Sequence, residues 1–174
     1  MKERNTIYPE ESKTISDAGR ASCSNGTLTI EPLHNLEHYW QDPGSLLQWD
    51  CLFMLPPWLG VWWSYFGQGS NTHLYVVRKR GIPIGLAPLT VSGDTATIIG
   101  DSNLIDYSDI ILAPSREQEF FSVLFHHLRQ EGIHHLDMGR IRTDSPTVAN
   151  LATFPRSAGC DISCKPVDIL YEMD

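Results

Sequence analysis

Asp101, Asp106 and Asp109, with Tyr107 among them, are the residues of this sequence best suited to chemistry. Carboxylates gathered on one loop raise one another's pKa, and a carboxyl so raised can serve as a general acid or base near neutrality. Aspartates also cap turns and solvate loops, the commoner use of the residue type, so both readings stand. Seven histidines include the adjacent pairs His126-His127 and His134-His135. Neighbours diverge by about 100° on a helix and face opposite sides of a strand, so neither pair chelates one ion by itself. HExxH and paired CxxC sets are absent, and no metal site is expected. Cys23, Cys51, Cys160 and Cys164 lack CxxC spacing and read as buried free thiols. No GxSxG elbow marks a hydrolase. Gly67-Gln68-Gly69-Ser70 lacks the lysine and the strand-to-helix placement of a P-loop, so it reads as a flexible connector.

The acidic loop needs a rigid support, and the residues before it supply one. Leu74 to Arg78, Ile82 to Val91 and Thr95 to Ile99 are β-rich runs separated by Arg80-Gly81 and Ser92-Gly93-Asp94, which predicts a three-strand antiparallel meander. Upstream, Thr27 to Leu33 alternates as a first strand, and a short helix starts near Asn35 and breaks at Asp42-Pro43-Gly44. Pro56-Pro57 opens an aromatic helix in which Trp58, Leu59, Trp62, Trp63 and Phe66 recur at helical spacing before Gly67. These aromatics are expected to cover the sheet, a ligand role being the weaker reading.

Downstream, Ser115 to Glu131 predicts a helix with a Ser115/Gln118 capping box and an apolar stripe of Phe120, Phe121, Leu124, Phe125 and Leu128. His127 borders that stripe as a half-buried structural residue. A short strand at Ile133 to Met138, a helix from Asp144-Ser145-Pro146 to about Thr153, and a closing strand within Asp161 to Tyr171 complete the order. The expectation is one α+β domain over residues 27–174, a mixed, mainly antiparallel sheet flanked by helices, after a disordered leader at 1–26.

Composition narrows the function classes. With 174 residues, 41% of them hydrophobic, the chain can form one domain with a real core. Twenty-one acidic against 13 basic side chains leave a net charge of −8 and no basic stripe for phosphates, which argues against nucleic acid. Apolar runs fall short of the roughly 20 residues that span a bilayer. The aromatic segment carries no Lys or Arg to meet anionic lipid, and the amino terminus lacks a signal-peptide core. No membrane partner and a cytoplasmic location are the expectations.

The order Phe53-Met54-Leu55-Pro56-Pro57-Trp58-Leu59, Trp62 or Trp63, Phe66-Gly67, a Val-Val-Arg strand, Gly81-Ile82-Pro83-Ile84-Gly85-Leu86-Ala87-Pro88-Leu89, Ile98-Ile99-Gly100 and Asp106-Tyr107-Ser108-Asp109 resembles the amino-terminal half of GNAT-like acetyltransferases of the cellulose-biosynthesis type, relatives of Fem-type aminoacyltransferases. The likeness covers Thr27 to about Leu170. It implies a GNAT-like fold, and a second half, which carries the acyl-coenzyme A site in full members, would begin about where this chain stops at Asp174. The family's phosphate loop, Arg/Gln-x-x-Gly-x-Gly/Ala, would correspond to Ala113-Pro114-Ser115-Arg116-Glu117-Gln118-Glu119. That run has no glycine and carries two glutamates where phosphate charge would sit.

The leading expectation is therefore a half-domain, catalytically incomplete alone and without a cofactor of its own. Its acceptor-binding or pairing surface would comprise Trp58, Trp62, Tyr107 and Asp109, and its partner would be a second GNAT-like half, another chain or a second copy. The alternatives are an active single-domain N-acyltransferase that uses acetyl-CoA or another acyl-CoA, with its base among Asp106, Tyr107 and Asp109, and a non-enzymatic interaction module.

Overall fold

The computed structural model describes residues 2–8, 26–67, 69–100, 104–153 and 162–172. Its main sheet is built from β2 (Gly26–Glu31), β3 (Thr72–Lys79), β4 (Ile82–Ser92), β5 (Thr95–Ile98), β6 (Ile111–Leu112) and β7 (His135–Asp137). The order is β2-β3-β4-β5-β7, with β6 paired to β4 beside β5. The pairs are antiparallel except β5 with β7, which are parallel and joined through the helix α3 (Glu117–Gln130), the crossover that parallel neighbours require. The fold is thus α+β with a mixed, mostly antiparallel sheet. The meander falls where its turns put it: Arg80 and Gly81 both adopt positive φ, 51° and 82°, the twist that suits a two-residue hairpin.

Both faces of β4 are covered. On one side Tyr75 and Lys79 of β3 meet α3, through the His127 ring at 6.3 Å and a 2.7 Å Lys79–Glu119 ion pair. Gly85 permits this close packing, because a Cβ there would run into the Phe120 ring and stand 2.8 Å from Leu112 Cδ2. On the opposite side Arg78 reaches Tyr39 of the short helix α1 (Leu36–Gln41) and Glu31 of β2, at 2.8 Å for the carboxylate. Thr29, Asn35 and Tyr39 also donate to Glu31. Burial alone would raise that carboxyl, but these donors outweigh it and hold the pKa down at about 2.

The sheet divides at Pro88. The Pro88 carbonyl accepts the Ile99 N–H at 3.0 Å, so its ring nitrogen faces the same edge, between the β6 pairing at Gly85–Leu86 and the β5 pairing from Leu89 onward. A residue without a donor costs no ladder bond at that junction. From this split the chain leaves β5 for the acidic loop and returns as β6.

A second, three-strand sheet has the order β8-β1-β9, from β1 (Lys2–Tyr8), β8 (Ile141–Arg142) and β9 (Lys165–Glu172). Lys2–Tyr8 lies in the stretch that composition assigns to the leader, yet its backbone pairs with both neighbours. The pairing is non-local, so the polar local sequence carries no sign of it. Among the described cysteines, Cys51 is buried and free as expected, whereas Cys164 is free but exposed, because it precedes β9 rather than sitting inside a strand. Among the described residues, no helix is long and apolar enough to cross a membrane.

Candidate functional site

The loop after the split is fixed by Ser108. Its N–H donates to the Arg140 carbonyl at 2.7 Å and its hydroxyl to the Met138 carbonyl at 3.0 Å, both within the link from β7 to β8. Ser108 is buried, Asp106 is exposed, and Tyr107 and Asp109 are half-buried. Asp101 lies outside the described residues. Of the two described carboxylates, Asp106 faces solvent and Asp109 faces the interior in part.

Asp109 sits under the start of α4 (Pro146–Thr153). One carboxylate oxygen accepts the Ile110 N–H at 2.8 Å and the other accepts the Ser145 hydroxyl at 2.5 Å. Ser145 in turn accepts the Thr147 N–H at 3.0 Å, the N-cap that the Asp144-Ser145-Pro146 sequence announces. Burial raises the Asp109 pKa; the Ser145, Thr147 and Ile110 hydrogen bonds oppose it, and the Asp50 charge adds to the rise. The neighbouring carboxylate that matters is Asp50, from far upstream, not Asp106.

Cys51 stands beside this group. Its thiol donates to the Tyr107 carbonyl at 3.7 Å, and burial, with the Asp109 charge, pushes its pKa up to about 12. Such a thiol is no nucleophile. A cleft of about 40 Å³, room for a few water molecules, is lined among others by Gln48, Asp50, Cys51, Asp109, Glu117 and Thr147. Its wall holds three carboxylates and no cation, so it repels phosphate. No group of described side chains could hold a metal ion.

Of the aromatic candidates, Trp58 and Tyr107 are brought together through Phe53. Trp58 meets Phe53 edge-on at 5.2 Å, Phe53 meets Tyr107 edge-on at 5.2 Å, and the Arg142 guanidinium lies 5.3 Å from the centre of the Tyr107 ring. Trp62, one turn along the same helix from Trp58, packs at 6.4 Å on Phe66, which lies 6.3 Å from Tyr65. Only Leu59 of α2 (Pro56–Trp62) is buried. The expectation that this segment covers the sheet holds in part, since Leu59 is buried and Trp62 packs against the core, and is corrected for Trp58, 37% exposed, and Phe66, 58%, which face outward with Val61 at 60% and Tyr65 at 77%. The reason is local. Trp63–Gly67 forms a π-helix, whose wider turn breaks the 3.6-residue period and swings Tyr65 and Phe66 outward. Gly67 allows it, because the Trp63 ring fills the space where its Cβ would be.

The start of α3 is also unlike its expectation. Ser115 makes no capping box: the N-cap is Arg116 without a side-chain cap, and Ser115, at φ 61°, donates its own N–H to the Glu117 carboxylate at 3.2 Å. Glu119 pairs with Lys79 and, at 3.5 Å, with Arg116. Two carboxylates of the chain itself, Glu117 and Glu119, already answer this helix dipole. Sequence reasoning passed over Asp50, Phe53, Ser145 and Arg142 as site residues. The helix-start signature hinted at Ser145, and Phe53 stood in the motif that resembles the family without a role of its own; Asp50 and Arg142 had no signal. No protein-family model matches the chain, and no curated protein matches it either.

Proposed function

We propose that this chain is a GNAT-like acetyltransferase-family half-domain, catalytically incomplete by itself, that contributes an acceptor-binding or domain-pairing surface. The observation that carries the reading is the outward aromatic face of residues 58–66, apolar surface of a kind that marks an interaction site. The acid-answered start of α3 and the cation-free cleft support the part of the reading that assigns no cofactor to this chain. The order of residues that resembles the family supplies the rest.

One observation favours a second reading, an acyl-CoA-dependent N-acyltransferase complete in one domain. The raised Asp109 carboxyl, close to the Tyr107 backbone through Cys51, is the kind of group that takes a proton from an amine. Calorimetric titration with acetyl-CoA separates the two. The half-domain reading expects no saturable heat up to millimolar ligand, and saturable binding overturns it.

A further inference from the structure

We infer that the aromatic face formed by Trp58, Val61, Trp62, Tyr65 and Phe66 is a self-pairing surface, and that its occupant is the same face of a second copy of this chain. The inference rests on the reading of this face as a pairing surface and names its partner. Trp58, Val61 and Trp62 stand at i, i+3 and i+4 on α2, and beyond it the π-turn brings Phe66 against Trp62 and Tyr65 against Phe66. They therefore form one continuous stripe.

Charge selects the partner. From Cys51 to Asn71 the sequence has no Asp, Glu, Lys, Arg or His, in a chain of net charge −8. A two-fold contact sets a patch against itself, so an uncharged patch is compatible with its copy where the rest of this acidic surface repels it. A charged partner finds no complement on the stripe. A lipid surface is also disfavoured, because interfacial helices use Lys and Arg to meet headgroups and an anionic leaflet repels the protein as a whole.

Area agrees. At about 200 Å² for a fully exposed aromatic side chain, Trp58, Tyr65 and Phe66 expose about 350 Å² per copy, or about 700 Å² for the pair. Val61, the open part of Trp62 and the flanking backbone bring the total to the roughly 1,000 Å² at which specific interfaces begin.

The test is sedimentation equilibrium of the full chain over a micromolar to millimolar range. The expected species has twice the 19.6 kDa of one chain. Its association strengthens with added salt, because screening removes the repulsion between the two acidic copies while the contact itself carries no charge. The double variant Tyr65→Ser, Phe66→Ser should weaken association about thirtyfold or more, the size of a hot-spot loss, with an unchanged circular dichroism spectrum. Ile82→Ser, at a site 57% exposed on β4, should leave association unchanged. A monomer at every concentration overturns the inference. So does a dimer that survives the double variant, or that Ile82→Ser breaks equally well. Sedimentation of a monomeric chain with phosphatidylcholine vesicles overturns it in favour of lipid. A monomer that also ignores acetyl-CoA defeats self-pairing and leaves the half-domain reading standing, whereas a dimer that binds acetyl-CoA does the reverse.

Discussion

Replacing Glu31 with Gln tests whether the polar cluster between the sheet and α1 stabilises the fold. The substitution keeps the shape of the side chain and removes its charge. In the native protein the carboxylate accepts hydrogen bonds from Thr29 at 2.9 Å, Asn35 at 3.1 Å, Tyr39 at 2.9 Å and Arg78 at 2.8 Å. Burial works against ionisation, but these donors prevail and lower the pKa from 4.5 to about 2. At about 1.4 kcal/mol per unit, the shift corresponds to about 3 kcal/mol. Glu31 and Arg78 both keep some contact with solvent, which reduces the effective figure to about 1.5–2 kcal/mol.

The sign follows from the lowered pKa. The stabilisation is fully present above pH 4.5 and is lost as pH falls toward about 2. Gln does not titrate in this range. Urea denaturation of both proteins should therefore give a gap of about 1.5–2 kcal/mol at neutral pH, or about 3–8 °C in Tm, shrinking toward zero near pH 2. A gap that stays constant across the acid range would refute the argument, because it would assign the effect to shape and not to charge.

Asp109 should behave with the opposite sign. Its pKa is raised, so the folded state loses stability as pH rises through the folded value, and Asp109→Asn should gain on the native protein between acid and neutral pH in urea titrations. A gap that narrows over that interval would contradict the burial assigned to the carboxyl. Gly85→Ala should destabilise by about 2 kcal/mol or more, since its Cβ meets the Phe120 ring inside a filled core. Phe120→Leu in that background should recover part of the loss, and strict additivity of the two changes in urea denaturation would argue against the clash.

The meander and the long helix were legible because their signals are local. Alternating apolar residues, Gly81 and Gly93 at turns, and a stripe from Phe120 to Leu128 each point to one structure within a few residues. The Ser145 cap was legible for the same reason. The direction of the aromatic segment was not. Residues 55–66 are apolar nearly all round, which ordinarily signals burial, and nothing in the spacing reveals a π-turn that shifts the register after Trp62. The Asp50 effect on Asp109 crosses a long sequence separation, as does the pairing of Lys2–Tyr8 with Lys165–Glu172. Contacts of that kind depend on the finished fold, which the resemblance of isolated motifs does not contain.

The same non-local geometry weighs on what Asp109 does. The split at Pro88 releases the loop, Ser108 fixes its far end against the Met138 and Arg140 carbonyls, and Asp109 is thereby delivered to the start of α4. There both of its oxygens are taken, one by Ile110 and one by Ser145, whose own oxygen holds the Thr147 N–H. Each oxygen nonetheless keeps a second lone pair, so these bonds hold the carboxyl in place without filling it, and any proton transfer there would act on a group that also supports a helix cap. Asp106 is open to solvent. Of these two carboxylates, one supports a helix cap and the other faces solvent. The proposed pairing function therefore rests on the aromatic face, which Tyr107 reaches through Phe53 and Trp58, and not on the loop carboxylates.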